Sequence, residues 1–169
     1  MASQIRRIQP GDGPILREVR LRALLDTPSA FARTHAEEAE YADDLWSWRA
    51  ENAATGNDSV YFLSFMPGES HACGMVGAYR PDESTIPDLV SMWVAPDHRG
   101  APIAAALVDQ VVRWAAAADY PSIELWVTRG NDRAAAFYRR CGFVETGDVA
   151  SLPSDPCAEE LRMARPISG

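Results

Sequence analysis

The sequence predicts a mixed α/β domain, an α+β mixed sheet with an antiparallel half and one parallel crossover. Three observations predict it. A β-branched and aromatic run ends at Val94-Ala95-Pro96, the pair Arg99-Gly100 follows, and an Ala-rich apolar helix opens at once. A second apolar run over residues 123–127 leads to Asn131 and a helix carrying Tyr138. Strand, tight turn, helix, strand, helix is the grammar of a parallel crossover unit. Upstream, two strand-like runs at 60–66 and 72–79 flank Pro67-Gly68 and read as an antiparallel hairpin.

The elements follow in order. Residues 5–8 form a short edge-type strand, closed by the turn Pro10-Gly11-Asp12-Gly13. Asp12 is placed to cap the next helix and Pro14 suits its first turn. That helix runs to about residue 25, with Ile15, Val19 and Leu24 as its apolar stripe and Arg17, Arg20 and Arg22 pointing elsewhere. Pro28 breaks the pattern. Residues 29–54 are mixed, with Asp43 and Asp44 opening a helix that carries Trp46 and Trp48 and ends near Gly56. After the hairpin, residues 89–94 form the next strand. Ile103, Leu107, Val111, Trp114 and Ala118 then recur at helical spacing as one buried face. Gly142 caps the Tyr138 helix, residues 143–146 begin another strand, and residues 160–167 form the last, pairing back into the sheet.

Composition narrows the classes of function. A chain of 169 residues, 47% hydrophobic and 24% charged, suits one soluble domain with a sizeable core. No apolar run approaches the roughly 20 residues of a membrane helix, and the first residues lack a signal-peptide core, so the expectation is a cytoplasmic protein without a membrane partner. The net charge of −8 argues against nucleic acid and mildly favours cationic ligands. Cys73, Cys141 and Cys157 form no C-x-x-C pair, and His35, His71 and His98 are far apart, so no disulfide framework and no metal site is indicated.

Two motifs carry chemistry. The first is the turn Arg99-Gly100-Ala101-Pro102-Ile103-Ala104. A pyrophosphate needs several N–H donors converging near the positive end of a helix dipole, and a glycine lets the backbone approach. The same residues also read as an ordinary helix start with a solvated arginine. The second is N-x-x-A-x-x-x-Y-x-x-x-G-F from Asn131 to Phe143. Ala134 and Ala135 leave room for something thin along the helix face, with Tyr138 one turn on. Asn131 as an N-cap and Tyr138 as a packed aromatic is the alternative.

Taken together, V-A-P-x-x-R-G and the Asn–Ala–Tyr–Gly-Phe run resemble the GNAT superfamily of acyl-CoA-dependent N-acyltransferases, strongly over roughly a third of the chain. The resemblance implies residues 1–169 as a single GNAT-like acetyltransferase domain. Its fold would be a central mixed sheet of six to seven strands, flanked by about four helices, with two central strands splayed apart. It implies acetyl-CoA as co-substrate, no metal, an amine acceptor, and compatibility with a homodimer. Backbone groups of Met92, Trp93 and Val94 would pair with the pantetheine arm. The N–H groups of Arg99, Gly100, Ala101, Ile103 and Ala104 would hold the pyrophosphate, with Pro102 in the same turn. Asn131 and Ala134 would contact the cofactor, and Tyr138 would stand near the thioester sulfur. The amine attacks the acetyl carbonyl, an N–H of Met92 or Trp93 stabilises the charge on oxygen, and Tyr138 protonates the departing thiolate. A non-catalytic acyl-CoA-binding sensor or scaffold is the alternative. A nucleotide-binding domain is a weaker third, since neither G-x-x-x-x-G-K-[ST] nor G-x-G-x-x-G occurs.

The chain departs from the pattern in three places. Pro102 stands where the family's turn has its second glycine, and a proline supplies no N–H. By the resemblance, Trp126 stands roughly where some members carry a glutamate base. Glu124, two residues earlier on the same strand face, is the candidate base, with a solvated or paired carboxylate as the alternative. Asp88 and Ser91 flank the other central strand, Glu37 and Glu38 lie on the helical segment facing the acceptor, and many members deprotonate the amine through water with no dedicated residue. The acceptor pocket falls to residues 29–48 and 148–158, where Phe31, Trp46 and Trp48 offer apolar walls and Glu37, Glu38 and Glu40 offer charge.

Overall fold

The computed structural model describes residues 2–167. Seven strands form one sheet: β1 (Gln4–Arg7), β2 (Ser59–Phe65), β3 (Ala72–Tyr79), β4 (Asp88–Val94), β5 (Ser122–Thr128), β6 (Val144–Leu152) and β7 (Asp155–Pro166), in spatial order β1-β2-β3-β4-β5-β7-β6. Every neighbouring pair is antiparallel except β4 and β5, which run parallel. The helices are α1 (Gly13–Asp26), α2 (His35–Ala39), α3 (Asp43–Ala54), α4 (Ile103–Ala117) and α5 (Asp132–Arg140). The mixed sheet with its parallel crossover is as the sequence predicts, with five helices rather than about four.

Period-two alternation divides the core between the two faces of the sheet. On one face Val60, Phe62, Leu125 and Val127 pack under α4 and α5, where Leu107, Val111 and Trp114 form the buried stripe of α4. On the other, Leu63, Met75 and Trp93 pack under α1 and α3, against Leu16, Val19, Leu24 and Trp46. The outward-alternating residues of β5 (Glu124, Trp126 and Thr128) are only partly buried, so that stretch of the second face is left open between the helices and β7. Two side chains tie the segment after α1 across this opening: Thr128 Oγ1 donates to Ser29 O at 3.1 Å, and Ser154 Oγ donates to Phe31 O at 2.8 Å.

Four local expectations are corrected. Asp12 does not cap α1. Its carboxylate accepts from Arg6 at 2.6 Å and from the Gln9 N–H at 2.8 Å, because a guanidinium within reach outbids a helix N–H. The buried stripe of α1 is Leu16, Val19, Ala23 and Leu24, with Ile15 only partly covered, and that phase turns Arg20 inward. Residues 35–39 form a helix closed by a capping box between Thr34 and Glu37, a signal present in T-H-A-E but hidden in a charged stretch. Strands β6 and β7 are each longer than the runs at 143–146 and 160–167, since β6 is an edge strand whose mostly exposed residues carry no apolar alternation.

Candidate active site

The parallel pair β4–β5 meets at one rung, Asp88 opposite Glu124, and beyond it no further β4–β5 pairing exists among the described residues. The strands diverge toward Val94 and Thr128. Past that rung β4 is bulged: Trp93 stands opposite Met75 and Val90 opposite Gly77, so Ser91 and Met92 together face Val76. Ser91 takes up the distortion with φ of 58°, a left-handed conformation that costs an L-residue about 1–2 kcal/mol.

Side chains from three elements hold that bulge. Arg20 of α1 donates from Nη1 to Ser91 Oγ at 2.7 Å, and Tyr61 of β2 places its hydroxyl 3.1 Å from the same oxygen. Arg20 is itself fixed by Glu38 of α2, 1% exposed, through two bonds of 2.9 Å, and its guanidinium lies 4.7 Å from the Phe31 ring. A Cβ at residue 77 would come within 2.8 Å of the Tyr61 ring, so Gly77 makes the space that ring fills. Sequence reasoning missed Arg20 and Tyr61. For Arg20 the signal was present, since position 20 belongs to the 16-19-20-23 face.

A cleft of about 1240 Å³ passes through the gap between the parted strands. One mouth is bounded by Arg99, Gly100, Ala101, Ala104, Asn131 and Ala134, with Met92, Trp93, Val94 and Tyr138 along the gap itself. The turn before α4 needs Gly100 at φ 84°, and nothing lies within 4 Å of where its Cβ would be, so the backbone there faces open space. The first-turn N–H groups of α4 have no intrahelical acceptor, and Gly100, Ala101 and Ala104 border this mouth. Pro102 stands at the helix N-cap and Ile103 turns its side chain into the core, leaving only its N–H for a ligand. The Arg99 guanidinium is turned away to serve the fold: Nε donates to Val94 O at 2.9 Å and Nη2 pairs with Asp26, whose carboxylate also accepts from Trp93 Nε1 at 2.9 Å. The Trp93 hydrogen bond, followed by Arg99, holds the Asp26 carboxyl below its ordinary range.

On the helix side, Asn131 caps α5, its Oδ1 accepting from the Ala134 N–H at 3.2 Å. Tyr138 is 9% exposed, lines the cleft, and packs edge-on against Phe137 and Phe143. Burial, then the neighbouring Cys141, pushes its pKa well above the ordinary tyrosine value, so the phenol keeps its proton throughout the neutral range.

The second mouth opens on the bare stretch of the other sheet face. Tyr79, Trp126 and the 58%-exposed Trp48 supply aromatic surface there, with Asp88 and Glu160 as carboxylates. Burial raises the pKa of both acids. Trp46 is a core residue, and Glu38 is consumed by Arg20 and Arg49, so neither offers an acceptor the wall or charge expected of it. Glu124 is in contact with Arg162, which also lies 5.2 Å from the Trp126 ring centre, and its side chain does not reach the cleft.

The model of the Acetyltransferase (GNAT) family matches residues 20–143. An uncharacterized N-acetyltransferase of Methanocaldococcus jannaschii is 33% identical over 74 residues, 44% of this chain; the chain spans about a third of that relative's length. Among solved structures, a GNAT-family acetyltransferase from Streptococcus pneumoniae superposes with a TM-score of 0.81 at 19% identity, covering 99% of this chain and 100% of that one. A phosphinothricin acetyltransferase from Sinorhizobium meliloti, solved with AcCoA, superposes with a TM-score of 0.78 at 18% identity, covering 99% and 90%. The parted strands, the Gly100 turn and the family match over residues 20–143 lead to one conclusion: the chain belongs to the GNAT family of acetyltransferases.

Proposed function

We propose that the protein is an N-acetyltransferase that moves the acetyl group of acetyl-CoA to a primary amine of a small molecule or peptide, by direct attack in a ternary complex. The observation that carries this reading is the single rung joining β4 to β5. It leaves facing strand edges without a ladder, on either side of a continuous cleft. A pantetheine arm, with its own amides, fits such a slot as a surrogate strand. The N–H groups beyond Gly100 fit its pyrophosphate, supplied by Gly100, Ala101, Ile103 and Ala104, while Arg99 shapes the turn through its side chain. The bound thioester supplies an activated acyl carbon.

The remaining work falls to this chain's own groups. The N–H of Met92 or Trp93, aimed by the bulge at Ser91, takes up charge on the carbonyl oxygen. Tyr138, kept protonated by burial, delivers its proton to the sulfur. Asn131 and Ala134 border the arm from α5. The N-acetyltransferase relative and the AcCoA-bound neighbour support the same assignment.

The test is a thiol-release screen with acetyl-CoA over monoamines, polyamines, amino-acid amides and short peptides. Release with at least one class is expected. Pro102 favours a second reading, an acyl-CoA-binding sensor, because it removes an N–H from the pyrophosphate turn. Tight acetyl-CoA binding by calorimetry with no release across the whole panel would replace the first reading by the second.

A further inference from the structure

We propose that Arg49 binds a carboxylate of the acceptor, making the acceptor a primary amine that also carries a carboxylate; this rests on the acetyl-transfer reading above. Arg49 belongs to α3 and lines the cleft from the helix side, with its side chain 27% exposed. Among the described residues its guanidinium makes no hydrogen bond. Its carboxylate neighbour, Glu38, stands 3.9 Å away and already accepts two bonds of 2.9 Å from Arg20. Two guanidiniums therefore share one carboxylate, and a net positive charge is left on this wall. A partly buried cation without an anion of its own is costly unless a ligand supplies one.

Packing fixes where that charge sits. The Arg49 guanidinium carbon lies 5.0 Å from the centre of the Tyr41 ring and 5.1 Å from that of Trp46. Aromatic rings cover the flat face of a guanidinium and leave its N–H edge free, and that edge matches the two oxygens of a carboxylate. Asn52 stands three residues further along α3, beside Arg49 on the helix surface, and lines the same cleft. Only its backbone carbonyl is engaged, by Ser59 Oγ at 3.3 Å, so its side-chain amide offers a further donor.

The opposite wall repels an anion. Asp88, at the foot of the gap, and Glu160 are themselves carboxylates, and the buried Oδ1 of Asp88 has no hydrogen-bond partner. The acceptor's carboxylate is thereby sorted to the α3 wall and its amine toward the parted strands. In a chain of net charge −8, arginines left unpaired along a cleft mark the sign of what enters it. Arg33 also lines the cleft, but it is exposed, and among the described residues no ring or ion pair holds it in place.

The test measures thiol release from acetyl-CoA with pairs that differ only in carboxylate against carboxamide: 6-aminohexanoate and 6-aminohexanamide, L-phenylalanine and its amide, triglycine and its amide. Wild type should favour the carboxylate member of at least one pair, with a KM about tenfold lower or more, as a charge-assisted bond provides. A preference among the free amino acids or in the peptide pair supports the site and tells which source supplies the carboxylate. Arg49→Gln should erase that preference by raising KM for the carboxylate member, while the carboxamide member and acetyl-CoA affinity stay within a few-fold. Arg49→Lys, which keeps the charge, should recover part of it. Equal loss for both members of every pair, or a preference that survives in Arg49→Gln and vanishes in Arg33→Gln alone, overturns the role of Arg49 and leaves acetyl transfer standing. So does a wild type that never prefers a carboxylate, or one inert toward these six probes but active in the amine panel above. A wild type inert toward the probes and the panel alike overturns both.

Discussion

The two mouths of the cleft are built from different materials. The mouth beside Gly100 is made of backbone: a parted strand, a turn with one left-handed glycine, and the free N–H groups that begin a helix. The mouth beside Trp126 is made of side chains brought from α3, β3, β4, β5 and β7. On the proposed reading, backbone geometry serves a co-substrate common to the family, while side chains from distant segments serve an acceptor that differs among its members. Between them lies Ser91, whose bulge belongs to the backbone but is held by the Arg20–Glu38 pair from the helical layer.

The comparison breaks first, and most severely, at Glu38. If the side-chain half supports the bulge, Glu38→Ala should destabilise the protein by about 3–5 kcal/mol by stranding Arg20 among buried groups, as read by denaturant unfolding. A loss below about 1 kcal/mol would detach α2 from the bulge. Next is Tyr138→Phe, which should lower turnover roughly 100-fold while leaving acetyl-CoA affinity unchanged, about 2.7 kcal/mol in the transition state alone. Undiminished turnover would remove Tyr138 from the proton transfer.

A smaller effect is expected at Ser91. Ser91→Ala leaves Arg20 Nη1 without its acceptor and should cost about 1–3 kcal/mol, with kcat falling more than acetyl-CoA affinity. Smaller still, Pro102→Gly restores an N–H to the turn and should tighten acetyl-CoA binding about three- to tenfold by calorimetry, matching one ordinary hydrogen bond. Unchanged or weaker binding would mean that Pro102 does not limit the backbone mouth. The smallest effect concerns stability and pH. Burial raises the Asp88 pKa, so its charge opposes folding at neutral pH, and that opposition fades as pH falls through the folded-state value toward the unfolded one. Asp88→Asn should therefore melt higher than wild type at pH 7, with the gap closing in mild acid.

How far the sequence could be read follows the same division. The stretch from β4 to the end of α5 was legible because its signals are local: Gly100 and Gly142 mark turns, the α4 stripe repeats at helical period, and Asn131 precedes its helix. The capping of α5 by Asn131 and its role beside a ligand were both open readings, and the cap is what its side chain does. Arg99 lies in the turn, but no local signal shows that its side chain braces Asp26, 73 positions earlier in the chain. Glu124 is the candidate base because alternation puts it on the same strand face as Trp126, where some family members carry a glutamate. Alternation says nothing about Arg162, which arrives from β7 and occupies that carboxylate.

The order of the seven strands and of every helix but α2, the Gly100 turn and the seat of Tyr138 on α5 were determined by sequence alone, because each depends on residues within a few positions of one another. Which carboxylates are spent in ion pairs, which arginine holds the bulge, and which acid is left with an unpartnered oxygen at the foot of the gap were decided only by the tertiary structure. A charge's partner in a folded protein is whatever the packing of distant segments brings within hydrogen-bonding range, and sequence separation does not encode that distance.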